Sequence, residues 1–251
     1  MSTAVNVILD PILIFGKFGF PELGIQGAAY ATLISQFVFI VIAMKVLSSK
    51  TRSVAFAMKN LSLKKDSVKK VFNIGIPAAL TQVINPLALG VLTYMVSVRF
   101  LEPGATAFSL VFRLEFFAYL PAVGFGMAAM SLIGQNMGAG NIARANEIFK
   151  KAVLLGFCSG TFLGLLLIVF GKYIIQVFTS DPVVVNYALS YLWIVALSYG
   201  FLSISMIVAN SFQAMGKSWP GFWLYVIKFF VIAIPLSYLA LLYGFDIYYI
   251  W

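Results

Sequence analysis

The sequence contains no histidine, a single cysteine and few acidic residues. Its 251 residues include Cys158 as the lone cysteine and eight Asp and Glu in total. These absences exclude a histidine proton relay, a disulfide framework and a cysteine-based metal cluster within this chain. Because Cys158 lies in an apolar run, we expect it to be a small packing residue.

Charged residues are also scarce, at 10% of the chain, whereas 62% of the residues are hydrophobic. Soluble domains are about 25% charged and about 45–50% apolar. A soluble protein of this composition would expose large apolar patches, which a bilayer would instead solvate. The composition therefore predicts an all-α polytopic membrane protein.

Apolar segments of about 20 residues are long enough to cross a bilayer as helices. Five such spans are predicted at 25–47, 74–98, 153–171, 186–209 and 220–243, and a sixth, at 107–134, carries two charges. We expect residues 1–15 to be the end of another span and residues 247–251 the start of one more. Residues 1–9 lack a basic leader, so no signal peptide is expected.

Basic residues are concentrated in alternate connections between these spans. Twelve of the 17 Lys and Arg residues lie in or beside the connections 45–73, 135–152 and 211–219. By the positive-inside rule, these three connections face the cytoplasm of a plasma (inner) membrane. We interpret the net charge of +9 as topology and contact with anionic membrane lipids, and we expect no nucleic-acid partner.

The segment 48–73 is the one long polar connection. Its lysines alternate with apolar residues, as in a short amphipathic helix at a membrane interface. These apolar residues are Leu61, Leu63, Val68, Val71 and Phe72. The pattern predicts a linker between two helical bundles.

Four charged residues lie within predicted spans: Asp10, Arg113, Glu115 and Lys228. A charge there costs about 2.5–3.5 kcal/mol on insertion scales, so each is a functional candidate. Asp10 shares a helix face with Asn6, and Pro11 frees carbonyl groups nearby. This set suits a proton or a small hard cation. The alternative is a helix-end aspartate solvated by headgroups.

The charges of the second half have two interpretations each. Arg113 and Glu115 do not share a helix face, so each either snorkels or pairs with another helix, or belongs to a gate or substrate path. Lys228 either snorkels or pairs with an acid elsewhere in the bundle.

Other residues bear on packing and on the bundle surface. Glycines spaced for close helix contact occur at Gly124, Gly126, Gly160 and Gly164. Prolines that could kink helices lie within spans at Pro77, Pro86, Pro121 and Pro235. The Tyr and Trp residues near 187–199 and 219–225 either form an interfacial belt or face inward around a pocket.

Three segments together resemble the multidrug and toxin extrusion (MATE) transporters. They are NVILDPILIFGKFGFPELGIQGAAYATLIS at 6–35, GIPAALTQ at 75–82 and RLEFFAYLPAVGFGMAAMSLIGQNMGAGNIARA at 113–145, and the weaker SFQAMGK at 211–217 also fits. The resemblance implies a two-lobe helical bundle with an incomplete N-terminal lobe. Residues 1–47 would be its fifth and sixth helices, 48–73 the cytoplasmic linker, and 74–251 the seventh to eleventh helices and the start of the twelfth. The missing N-terminal helices of the same transporter are expected partners.

The resemblance also implies a site. Asp10 matches the family's fifth-helix aspartate, Asn6 the asparagine one turn earlier and Thr32 the threonine of the sixth helix. These three would bind the coupling cation and border the drug cavity. Some relatives instead bind the cation in the second lobe, through a seventh-helix glutamate and a tenth-helix aspartate. Asn85 lies near that glutamate position and 186–209 contains no acid, so no such sodium site is expected. The substrate path would include Gln82, Asn85, Arg113, Glu115 and Lys228.

The resulting hypothesis is a secondary active transporter, expected to be a monomer. It would export hydrophobic or cationic drug-like molecules by alternating access, in exchange for protons or Na⁺ and without a further cofactor. The alternative is a flippase for lipid-linked oligosaccharide, which would need a cationic cavity. An integral-membrane enzyme is a weaker alternative, because nucleophile-elbow, phosphate-loop, zinc-helix and dinucleotide motifs are lacking. A fragment that cannot transport by itself is a further alternative.

Overall fold

The structure, a computed structural model, describes residues 2–47 and 64–249. Within these ranges the secondary structure is helical and contains no strand, which confirms the predicted all-α class. The chain divides into two compact units, an N-terminal unit of residues Met1–Lys64 and a C-terminal unit of residues Lys65–Trp251.

The N-terminal unit is a pair of helices, α1 (Ser2–Phe15) and α2 (Gly24–Leu47). They are joined by a tight turn that contains a 3₁₀ turn at Lys17–Gly19. The helices pack closely at Gly27, because a Cβ atom there would overlap with the backbone carbonyl of Leu13. The amide of Leu23 also donates to the Leu13 carbonyl oxygen at 3.1 Å. These contacts fix the two helices side by side.

The C-terminal unit is a bundle of longer helices. Helix α3 runs over Lys65–Gly138, α4 over Ile142–Phe178, α5 over Pro182–Val195, α6 over Tyr199–Ala214, α7 over Trp219–Val226 and α8 over Ile234–Leu242. A 3₁₀ turn at Ala196–Ser198 joins α5 to α6, and a π-helical segment, Ile227–Ala233, joins α7 to α8. A short 3₁₀ helix follows at Ile247–Tyr249.

Within residues 2–47 and 64–249, five helical stretches are long and apolar enough to cross a membrane: Gly24–Val46, Lys65–Gly138, Ile142–Phe178, Pro182–Ala214 and Trp219–Leu242. The predicted spans 74–98 and 107–134 both lie in α3. That helix is interrupted at Leu101, which has φ 55° and ψ −155°. Residues 1–15 were expected to end a span, and α1 is 14 residues long.

The connections predicted from charge are shorter than expected. In the 135–152 connection only residues 139–141 lie outside helices, and Arg144, Lys150 and Lys151 belong to α4. Asn141 caps that helix by accepting a hydrogen bond from the amide of Arg144 at 3.2 Å. Polar residues can extend a helix beyond the hydrocarbon, so the first charge marks the end of the apolar stretch and not of the helix.

The predicted linker 48–73 lies largely outside the described residues. This holds for 48–63, and therefore for Leu61 and Leu63 of the predicted amphipathic helix. Residues 65–73, which include Val68, Val71 and Phe72, form the first turns of α3.

Small residues allow the C-terminal helices to pack closely. A Cβ atom at Gly160 would lie 2.6 Å from the Tyr199 carbonyl oxygen, and one at Gly164 would overlap with the Ala196 carbonyl oxygen. Gly126 packs against the side chain of Asn210, whereas nothing lies within 4 Å of a Cβ atom at Gly124. The predicted packing role therefore holds for three of these four glycines.

Buried apolar side chains fill the space between α3, α4, α5 and α6. One cluster includes Val111, Ile175 and Leu192, and another includes Ile133 and Ile207. The prediction that Cys158 is a packing residue is wrong, because its side chain is exposed. Its position on α4 turns it away from the core, and an apolar neighbourhood in sequence does not reveal which face of a membrane helix is inside.

Replacing Leu101 with glycine should stabilise the C-terminal unit by about 1 kcal/mol. A non-glycine residue in such a backbone conformation costs about 1–3 kcal/mol, and glycine relieves this cost. Glycine also makes the unfolded chain more flexible, which lowers the stability by about 0.4–1 kcal/mol and leaves a net gain. Leu101 is 69% exposed, so little packing is lost. The thermal unfolding midpoint of the purified protein measures the effect. Leu120→Gly, at an exposed site within the regular part of α3, is the control and should destabilise. Equal losses in both variants would contradict the prediction.

Candidate functional site

The two helices of the N-terminal unit bring Asn6, Asp10 and Thr32 together. The Asn6 amide nitrogen lies 3.3 Å from Asp10 Oδ1 and 3.5 Å from Thr32 Oγ1. The Thr32 hydroxyl donates to the Ala28 carbonyl oxygen at 2.9 Å. The Asn6 carboxamide therefore bridges the carboxylate of α1 and the hydroxyl of α2, as the i and i+4 spacing of Asn6 and Asp10 predicts.

Asp10 lies within α1 and not at its end. The helix continues through Pro11 to Phe15, and the side chains of Asp10 and Asn6 are half-buried. Proline lacks the amide that would bond to the carbonyl four residues earlier, which leaves the Val7 carbonyl oxygen free for other donors or cations. The role of Asp10 as a cation-binding residue stays a prediction.

A second polar cluster lies inside the C-terminal unit, around Glu115 of α3. The Tyr191 hydroxyl of α5 donates to Glu115 Oε2 at 3.0 Å. A small cavity beside this pair is lined by Glu115, Ala118, Tyr119, Tyr199, Leu202 and Ser203. The Tyr199 hydroxyl is buried and has no hydrogen-bond partner among residues 2–47 and 64–249. Such a group costs about 1–3 kcal/mol, so the cavity is a site where a further hydrogen bond would be favourable.

Lys228 belongs to the same cluster. It lies in the π-helical segment after α7, with its Nζ 4.7 Å from the centre of the Phe229 ring. Its ammonium group interacts electrostatically with Glu115, although no direct salt bridge joins the two residues. Of the two interpretations of Lys228, the structure favours an acid partner within the bundle, and that partner is Glu115.

The other residues predicted for a substrate path do not join this cluster. Gln82 and Arg113 are exposed at the bundle surface, and Asn85 is half-buried. No hydrogen bond or salt bridge connects any of the three to Glu115 or Lys228 within the described part of the chain. An interhelical ion pair for Arg113 is therefore wrong for the residues that the structure describes. The two-residue separation of Arg113 and Glu115 places them on different helix faces, one outside and one inside the bundle.

The tyrosines of the cluster were not among the predicted site residues. Tyr191 and Tyr199 are buried, whereas Trp193 between them is 61% exposed. Among the aromatic residues of 187–199, the buried tyrosines face inward beside the cavity. The tryptophan faces outward, as expected for an interfacial belt. The spacing in the sequence already indicates that these two side chains point in different directions, because Tyr191 and Trp193 are two residues apart and so lie on different faces of α5.

Comparison with known proteins identifies the family. Residues 77–239 match the family model described as MatE. The chain belongs to the MATE family. It is 30% identical over 240 residues to a protein of Shewanella oneidensis named "FAD transporter", and the match covers 96% of this chain and 53% of that protein. It is 27% identical over 248 residues to "Probable multidrug resistance protein NorM" of Thermotoga maritima, covering 97% of this chain and 52% of that protein.

Solved MATE structures have the same fold as this chain. A mutant of the Vibrio cholerae MATE transporter VcmN is 28% identical with a TM-score of 0.88, over 99% of this chain and 56% of that one. The MATE structure described as the straight conformation is 22% identical with a TM-score of 0.91, covering 100% of this chain and 56% of that one. These likenesses confirm the predicted MATE-like helical fold.

Two statements follow for this MATE chain. MATE proteins are multi-pass membrane transporters of the plasma membrane and not enzymes, as the resemblance implied. The chain spans about half the length of the curated relatives it matches.

Proposed function

We propose that the transporter containing this chain exports hydrophobic or cationic small molecules in exchange for a proton or Na⁺. The observation that carries the proposal is the contact of Asn6 with both Asp10 and Thr32 inside the N-terminal unit. A half-buried carboxylate that is linked through Asn6 to a second helix can bind a cation, and that binding would affect both helices. The names of relatives such as the Thermotoga maritima protein support drug-like substrates.

The site contains the groups that cation exchange needs. In its charged form, Asp10 accepts the hydrogen bond from the Asn6 amide. A bound proton weakens that acceptor, while a bound Na⁺ would take oxygen ligands from Asp10, Asn6 and Thr32. In either case Asn6 must rearrange. Because Asn6 also contacts α2 through Thr32, cation binding would change the fit between α1 and α2. In the proposed cycle this change favours release of the exported molecule outside.

The flippase alternative is less well supported. It requires free cationic side chains to hold a pyrophosphate, and Lys228 is already engaged electrostatically with Glu115. Arg113 is exposed and lies apart from that cluster. The relatives reported above are named an FAD transporter and a probable multidrug resistance protein, and neither name indicates a lipid-linked substrate.

FAD is a second candidate substrate, because the relative that is 30% identical is named an FAD transporter. FAD is an anionic dinucleotide with a flat aromatic ring system. It shares the flat ring with many drug-like cations but has the opposite charge, so competition between the two in one assay would separate the candidates.

The test is efflux from vesicles reconstituted with the transporter that contains this chain. Vesicles loaded with the fluorescent cation ethidium, with FAD, or with both in competition receive an imposed proton gradient or an imposed Na⁺ gradient in separate experiments. We expect one of the two gradients to drive ethidium out against its own gradient. If neither gradient drives efflux of ethidium or FAD from vesicles shown to contain folded protein, the proposed function is wrong.

A further inference from the structure

The Glu115 side chain is half-buried in the C-terminal bundle, and the cycle proposed above does not use it. Its hydrogen bond from Tyr191 links α3 to α5, and the cavity beside it extends to α6 through Tyr199 and Ser203. A half-buried carboxyl group in a membrane-spanning helix is costly when charged, so its protonation state depends on the few partners that surround it.

The titratable groups around Glu115 are tyrosines and one lysine, within the described residues. Tyr119 of α3 and Tyr199 of α6 line the same cavity, Tyr191 donates from α5, and Lys228 acts from the segment after α7. On α7, Tyr225 interacts with Tyr119 and not directly with Glu115. Helix α4 contributes Leu163, Leu167 and Ile168 to the packing here, none of which titrates.

This arrangement provides partners for both protonation states of Glu115. The charged carboxylate accepts from the Tyr191 hydroxyl and is attracted by the Lys228 ammonium group. The neutral acid is itself a donor, and a tyrosine hydroxyl can accept as well as donate. The buried Tyr199 hydroxyl has no hydrogen-bond partner within the described ranges and lines the cavity that Glu115 lines.

The size and charge of the site select a proton over larger ligands. The cavity has a volume of about 10 Å³, whereas sites for drug-sized ligands measure about 300–1,000 Å³. Lys228 already offsets the charge of the carboxylate, so a bound metal cation would add an uncompensated positive charge inside the bundle. A proton needs no coordination shell and removes the carboxylate charge that it meets.

We propose that Glu115 is a proton-binding residue of the C-terminal unit, with Tyr191 and Lys228 stabilising its charged form and Tyr199 its neutral form. Proton binding here is independent of the Asp10 site. Only its use during transport rests on the function proposed above.

Infrared difference spectroscopy of the intact transporter in lipid tests this proposal directly. Spectra recorded at a series of pH values should contain a carboxylic-acid C=O band that fades as pH rises and is missing from Glu115→Gln. Glutamine keeps an oxygen that can accept from Tyr191. The matched control is Glu102→Gln, an exposed acid on the same helix, and it should keep the band. Tyr191→Phe should keep the band but bind the proton about tenfold more tightly, because a hydrogen bond to the charged form is lost.

A set of titrating bands identical in wild type and Glu115→Gln would overturn the proposal. If Glu115→Gln does not fold, Tyr191→Phe decides, since a titration unchanged from wild type would also overturn it. The ethidium assay separates this result from the proposed function. Absence of driven efflux with an intact Glu115 band would refute the exporter and leave the proton site, and the reverse result would refute the proton site alone.

Discussion

Asp10→Asn should abolish ion-coupled efflux while leaving the protein folded and in the membrane. Asparagine preserves the size of the side chain and an oxygen that can accept from Asn6, but it cannot take up a proton or neutralise Na⁺. Because the coupling cation would no longer bind, an imposed ion gradient should not drive ethidium out, and efflux should fall to that of protein-free vesicles. Exchange of labelled for unlabelled ethidium at equal concentrations, which needs no gradient, checks that the substrate site is intact.

One further variant is a control for Asp10→Asn, and a second tests the contact between the two helices. Glu22→Gln removes a carboxylate from the exposed turn between α1 and α2, and it should leave coupled efflux unchanged. Thr32→Val keeps the shape of the side chain but removes the hydroxyl that lies 3.5 Å from the Asn6 amide. It should weaken the response to the coupling ion by about tenfold, the value of one hydrogen bond of about 1.4 kcal/mol. Full gradient-driven efflux by Asp10→Asn would show that coupling occurs elsewhere.

Gly164→Ala should destabilise the C-terminal unit by about 1–3 kcal/mol, the usual cost of overpacking. The added methyl group would overlap with the carbonyl oxygen of Ala196 in the turn between α5 and α6. A backbone atom cannot move aside as a flexible side chain can, so α4 would have to separate from that turn. Thermal unfolding in detergent, followed by loss of the monodisperse peak in size-exclusion chromatography, measures the change.

The matched control for Gly164→Ala is Gly124→Ala in α3. Nothing lies within 4 Å of a Cβ atom at Gly124. Alanine in a helix interior is favoured over glycine by about 0.5–1 kcal/mol, so this variant should be neutral or stabilising. Equal unfolding midpoints for the two variants would show that the close approach of α4 to the α5–α6 turn does not limit stability.

Polar residues within apolar spans identify several residues of both sites from the sequence alone. A charge within a membrane span is expensive, so Asp10 and Glu115 were candidates for that reason alone. The spacing of Asn6 and Asp10 fixed a shared helix face because helical geometry is local. Thr32 was added by resemblance, and the structure places its hydroxyl near the same asparagine. The roles of these residues stay predictions.

The predicted boundaries of the spans differ from the observed helix ends, because a helix can extend beyond its apolar stretch. Hydropathy locates the hydrocarbon-spanning part of α4, whereas its first turns, with Arg144 and Lys150, are polar and still helical. Likewise, the two predicted spans within α3 are separated by a single strained residue, Leu101, and not by a loop.

What the sequence determined by itself was the membrane-spanning all-α class, the number and order of the main spans, and the charged residues that have to be accounted for. These depend on composition and on the local geometry of helices. Only the tertiary structure decided that Tyr191 and Tyr199 lie beside Glu115, that Lys228 interacts electrostatically with that acid, and that Arg113 and Cys158 are exposed. In a membrane protein the lipid-facing and buried surfaces are equally apolar, so hydrophobic periodicity does not reveal which face of a helix is inside. That choice depends on contacts between helices distant in sequence, such as α3 with α5.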